Sequence, residues 1–182
     1  AGQPVYTAAA SDSAGSVAYS LKAIGDHALL SINASTGEVV LTGNPDYESK
    51  TNYTFTVVAT DEAGNASEQA VTLDINNLDD TAPTITSAAT ATAINENSGA
   101  GQVVYTVTSN DSADVVTGST SYSLKAGGDA ALFSINAATG AVTLIDSPDY
   151  ETKASYSFTV VATDAANNAS EQTVSLAIND IA

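Results

Sequence analysis

Most of this chain is one module written twice. Tyr19-Ser-Leu-Lys-Ala23 returns as Tyr122-Ser-Leu-Lys-Ala126, Pro45-Asp-Tyr-Glu48 returns as Pro148-Asp-Tyr-Glu151, and the run from Phe55 to Asp61 returns from Phe158 to Asp164. From Tyr19 onward the offset is a constant 103, and 40 of the 61 aligned positions are identical. A repeat that long requires two copies of one fold, because each copy must bury the same apolar positions. The 182 residues suit this division, since two domains of about 90 residues can each bury a modest core. Expected boundaries are 1–80 and 81–182.

Upstream of Tyr19 the offset drops to 99. Ala1-Gly2-Gln3 matches Ala100-Gly101-Gln102, and the second copy carries an insertion around Val115 to Ser119. Residues 83–99 have no counterpart ahead of Ala1, so the first copy is expected to start one strand late. Asn76-Asn77-Leu78-Asp79 aligns with Asn179-Asp180-Ile181-Ala182, so the final residues are expected to lie in a linker and the whole is expected to be a piece of something longer.

Within a module the hydrophobic period is two. Tyr53, Phe55, Val57 and Ala59 alternate with Thr54, Thr56, Val58 and Thr60, and Val71, Leu73 and Ile75 repeat the pattern after a polar turn. Shorter runs at 103–107, 121–124, 132–135 and 142–145 are separated by Gly, Asn, Asp and Pro. Helical periodicity is absent. Six or seven short strands in about 100 residues predict an all-β chain of two tandem antiparallel Greek-key sandwiches.

Charge narrows the function. Asp and Glu number 21 against 4 Lys and no Arg, for a net charge of −17. Phosphate binding needs clustered basic residues, so nucleic acid is excluded as a partner. Divalent cations are the natural partners of surplus carboxylates. Without Cys there are no disulfides, thiolate nucleophiles or zinc–thiolate sites, and the sole histidine, His27, leaves little for transition metals. No apolar run approaches the roughly 18 residues that span a membrane.

His27 beside Asp26 suggests a triad, but Ala130 stands at its place in the second copy. The expectation is no enzymatic activity. Asp46 and Glu48 form the best glycosidase-like pair of carboxylates. Tyr53 and Tyr156 fall in phase with buried residues, and Tyr47 and Tyr150 are expected to pack beneath their loops.

The motifs resemble the cadherin repeat, and more closely its bacterial cadherin-like relatives in large surface adhesins. The residues that carry the resemblance are Glu96-Asn97, Ser109-Asn-Asp111 with Asp114 ahead of Tyr122-Ser-Leu124, Phe133-Ser-Ile-Asn-Ala-Ala-Thr-Gly140, Asp149-Tyr-Glu151, Ala162-Thr-Asp164, and Asn77-Leu-Asp-Asp-Thr-Ala-Pro83. The resemblance implies Ca²⁺ at the junction between modules. Its ligands would be Asp46, Glu48, Asn77, Asp79, Asp80, Asp111, Asp114 and Asp164, while Glu96, Asp149, Glu151 and Asp180 would serve the base of the second module.

The linker departs from the family in having Asn77 where Asp is usual and Asp79 where Asn is usual. Ala113 stands where the family has a second Asp, with Asp114 one position late. One or two ions per junction are therefore expected rather than three. The implied role is a Ca²⁺-rigidified extender in an extracellular adhesin, with neighbouring modules as partners. Homophilic contact, polysaccharide binding, or service as an accessory domain of a secreted enzyme are the alternatives.

Overall fold

The computed structural model describes residues 2–13, 15–112, 114 and 118–181. Ala113 and positions 115–117 of the insertion lie outside the described residues. The chain forms two units, Ala1–Leu78 and Asp79–Ala182. This boundary falls two residues before the expected one because Asp79 and Asp80 are tied to the second unit. Asn168 Nδ2 donates to the Asp79 carbonyl at 3.0 Å, and the Asp80 backbone N–H donates to Asp114 Oδ2 at 3.3 Å.

The first unit holds β1 (Pro4–Thr7), β2 (Ala18–Leu21), β3 (Leu30–Ile32), β4 (Glu38–Leu41), β5 (Asn52–Thr60) and β6 (Ala66–Asp74). Two sheets form, in the orders β1-β4-β3 and β2-β5-β6, with every pairing antiparallel. The alternation in β5 buries Tyr53, Phe55 and Val57 against Leu30, Val39 and Leu41, and Tyr6 meets Phe55 edge-on at 5.8 Å between ring centres.

The second unit holds β7 (Thr84–Ile85), β8 (Ile94–Asn95), β9 (Gln102–Thr106), β10 (Ser109–Asn110), β11 (Ser121–Leu124), β12 (Phe133–Ile135), β13 (Ala141–Leu144), β14 (Ser155–Thr163) and β15 (Ala169–Asn179). Its sheets are β12-β13-β9, β11-β14-β15-β8 and the short pair β10-β7. Thus β9 and β11 to β15 reproduce β1 to β6, and β7, β8 and β10 are additions. β8 pairs with β15 in the parallel sense, the one exception among otherwise antiparallel strand pairs of the described residues.

Phe133 and Phe158 pack at 4.5 Å in the centre of the second unit, with Tyr105 edge-on to Phe158 at 6.0 Å. Each fully buried aromatic ring contributes roughly 1.5–3 kcal/mol. The only helical segments among the described residues are two single 3-10 turns, His27–Leu29 and Ala130–Leu132.

The recurrent Thr-Gly dipeptide has a backbone cause. Gly37 and Gly140 both have φ of 71°, and a Cβ at either would collide with the carbonyl of Ala8 or Val107. Only glycine fits both the left-handed conformation and the close approach. Tyr47 is half-buried and Tyr150 is 37% exposed. Tyr156 is also only half-buried, lying edge-on to Phe133 with the Lys153 ammonium over its other side.

Candidate metal centres

The long hairpin β14–β15 creates the first site. Asp164 follows β14 directly and accepts from the Asn168 backbone N–H at 2.8 Å and from its Nδ2 at 2.9 Å, closing the turn. Asp164 is 5% exposed, and the second Nδ2 contact, to the Asp79 carbonyl, brings the start of the unit against that turn. Asp111 arrives from the end of β10. Ligand oxygens of Asp79, Asp111 and Asp164 lie within 4.8 Å of one another.

Three carboxylates this close repel unless a cation or a proton intervenes. Burial, with the charges of Asp79, Asp164 and Asp114, raises the Asp111 carboxyl above its ordinary value. Asp111 Oδ2 is buried and has no hydrogen-bond partner among the described residues. Such an atom is costly to leave without a partner, more so when charged, unless something fills the gap. All the donors are oxygens, which suits a hard divalent cation and disfavours metals that prefer imidazole or thiolate.

Glu96, Glu151 and Asp180 form a second cluster, again within 4.8 Å. Glu96 is 3% exposed, and β8 sets it in place. Its Oε1 accepts from the Ile181 N–H at 2.9 Å and its Oε2 from the Tyr150 N–H at 3.1 Å. Those two N–H groups hold its carboxyl below the usual range. Glu151 is pulled down by its own backbone N–H, yet its hydrogen bond to Glu96 and the charges of Glu96 and Asp180 raise it on balance.

The remaining expected ligands make contacts within their own loops and connections. Asp149 turns into its own loop, accepting from the Thr152 hydroxyl at 2.7 Å and from its N–H at 3.2 Å, and Asp46 does the same with Ser49 at 2.7 Å and 3.3 Å. These contacts lower both carboxyls. Glu48 and Asp46 are exposed in the loop of the first unit, and Asn77 closes that unit. Asp80 contributes its backbone N–H to Asp114 rather than a place in either cluster. Asp114 adds charge beside Asp111.

Asn168 is the residue sequence reasoning missed. Its signal lay in the repeat, because Asn65 caps Asp61 in the same way, with the N–H and Nδ2 contacts both at 2.7 Å. Asp26, suspected beside His27, instead accepts from the Thr54 N–H at 2.8 Å and pairs with Lys50 at 2.9 Å. The second unit repeats this with Asp129, Ser157 and Lys153.

A sandwich with acidic clusters at positions set by its hairpins defines a class of repeat domain, and the comparisons name it. The profile of the Cadherin domain family matches residues 1–76 and 90–179. This chain belongs to the cadherin domain family. It is 33% identical to protocadherin Fat 4 of Mus musculus over 150 residues, 81% of the chain and 3% of that protein. It is 34% identical to the Fat-like cadherin-related tumor suppressor homolog of Drosophila melanogaster over 143 residues, 73% of the chain and 3% of that protein.

Among solved structures, mouse cadherin-23 EC22-24 superposes with a TM-score of 0.67 at 27% identity, covering 99% of the chain and 60% of that structure. Human protocadherin-24 EC1-2 shares the fold at a TM-score of 0.68 and 23% identity, covering 100% of the chain and 90% of that structure. The chain spans only a few per cent of the length of these sequence relatives, and they are animal proteins, whereas its motifs had suggested bacterial surface adhesins.

Proposed function

We propose that this pair of cadherin repeats is a Ca²⁺-stiffened spacer in the extracellular part of an adhesion protein, with a large bacterial surface adhesin as its setting. The observation that carries the reading is the buried Oδ2 of Asp111, which has no hydrogen-bond partner among the described residues and is set between Asp79 and Asp164. Bound there, Ca²⁺ would supply the positive charge that three converging carboxylates lack. Asp111 presents the open oxygen. Asn168 positions both Asp79 and Asp164 through one side-chain amide, and the Asp80 N–H orients Asp114. These contacts fix the connecting residues after Leu78 to the second unit, which is where a spacer needs to be stiff.

Calorimetric titration of chelator-stripped protein with Ca²⁺ tests the site, and small-angle scattering with Ca²⁺ and with chelator tests the stiffening. The expected outcome is saturable Ca²⁺ binding that Asp111→Ala removes, with a narrower distribution of particle dimensions when Ca²⁺ is present. Binding indifferent to Asp111→Ala overturns the site assignment, and superimposable scattering curves overturn the spacer mechanism.

A further inference from the structure

The second unit carries an apolar surface that the first has only in part. Val103, Ile145 and Leu132 are 59%, 47% and 39% exposed. They meet on the outer face of the sheet β12-β13-β9. Phe133 and Leu144 are paired and buried, so by alternation their neighbours Leu132 and Ile145 point outward, joined by the Ile145 N–H donating to the Leu132 carbonyl at 3.0 Å. Val103 pairs with Thr143, two residues before Ile145 on the same strand. The first unit has Pro4, Thr42 and Leu29 at the places of Val103, Ile145 and Leu132.

Leu132 also lines a cleft of about 340 Å³ beyond the end of β13, shared with Leu144, Tyr156, Asp146 and Lys153. That is the small end of the roughly 300–1,000 Å³ range of ligand clefts. Four of these residues have identical counterparts in the first unit, Leu29, Leu41, Lys50 and Tyr53, yet Tyr53 is 8% exposed where Tyr156 is only half-buried. The rim differs as well. Asp146 stands where the first unit has Gly43. Its exposed carboxylate makes no hydrogen bond or ion pair among the described residues, whereas Asp149 accepts from Thr152 and Asp129 holds Lys153 at 3.0 Å.

We infer that this cleft and the adjoining patch bind a segment of a different protein, which lays one leucine-sized side chain against Tyr156 and sets a lysine or arginine beside Asp146. The open apolar lining calls for an apolar anchor, and the free carboxylate calls for a cation next to it. Together they divide the work of an interface, the anchor supplying affinity and the charge supplying steering and register.

A second copy of this chain does not fit that description. It has no arginine, and each of its four lysines is already paired with a carboxylate at 2.6 to 3.0 Å. Pairing two copies would also bring together two net charges of −17. The cleft shares no residue with either carboxylate cluster, so this inference is independent of the Ca²⁺ reading.

The test uses the full 182-residue chain, isotope-labelled and in chelator, titrated with the peptide acetyl-Gly-Lys-Leu-Lys-Gly-amide and followed by NMR. Amide resonances of residues 132, 144–147 and 152–156 should shift together and saturate. Serine in place of the peptide's leucine should abolish the shifts, and because the protein is unaltered that result stands even if a protein variant misfolds. Asp146→Asn should weaken binding about three-fold, the scale of an exposed ion pair, and should make no difference to a peptide with glutamine in place of both lysines. Glu38→Gln removes one exposed charge from the first unit and should change nothing. Equal losses from Asp146→Asn and Glu38→Gln would reduce the effect to diffuse charge and overturn the assignment. Absence of saturable binding, shifts centred on other residues, or undiminished binding of the serine peptide overturns it too. Self-association of the chain alone that shifts residues 103, 132 and 145 overturns the choice of occupant.

Discussion

Leu73 and Leu176 occupy the same position of the same strand in two nearly identical cores, which makes truncating each to alanine a controlled comparison. Leu176 is 0% exposed, and Leu73 is half-buried against its cluster. Leu176→Ala removes three carbons from full burial, about 2.4 kcal/mol at 0.8 kcal/mol per methylene, and an unfilled cavity brings the loss to about 3.5 kcal/mol. Leu73→Ala removes the same atoms from a site already partly wet and open to relaxation, for about 1.5 kcal/mol.

With a urea m-value of about 2 kcal/mol/M for each unit, the midpoints fall by about 1.7 M and 0.7 M respectively. The assay is amide exchange by mass spectrometry across a urea series, which follows peptides from each unit separately. Equal shifts in the two units would refute the reasoning, because burial of the corresponding leucines would then not be what separates them.

Two further outcomes follow from the carboxylates. Asp111→Asn removes a charge that is buried beside Asp79 and Asp164, so in chelator it should raise the melting temperature of the second unit. The same change should abolish the stabilisation by Ca²⁺, about 1.4 kcal/mol per site at millimolar Ca²⁺ and a Kd of about 10⁻⁴ M, as read by calorimetry. Asp26 is held below the ordinary carboxyl value by the Thr54 N–H and then by Lys50. Its contribution is thus complete above the unfolded carboxyl range and disappears as pH falls through the lower folded value. Asp26→Asn should make the first unit's stability less dependent on pH below about 4, as measured by thermal unfolding across that range.

The strands were legible because period two is a local property. Val142, Leu144, Phe158 and Val160 alternate, and the structure buries all four. Coverage is not local, so the same pattern in Val71, Leu73 and Ile75 tells which way they face and not whether anything lies over them. The segment 84–95 was readable as an added strand but not as two separate pairings. Its residues are mostly Thr, Ser and Ala, and it changes partner from β10 to β15, held by main-chain bonds and by the side chains of Gln172 and Tyr105.

Motif spacing brought Asp111, Asp164, Glu96 and Glu151 forward. It could not distinguish Glu151, which joins a cluster, from Asp149 two residues earlier, which caps its own turn. That choice is made by the loop that follows Pro148, where Thr152 offers both a hydroxyl and an N–H.

The parallel pairing of β8 with β15 has a mechanical meaning. β8 lies near the beginning of the second unit and β15 at its end, and the two run in the same direction. Tension applied at the two ends of this unit slides one strand along the other, so the bonds at Ser175, Ile178 and Asn179 are loaded together and resist as a group.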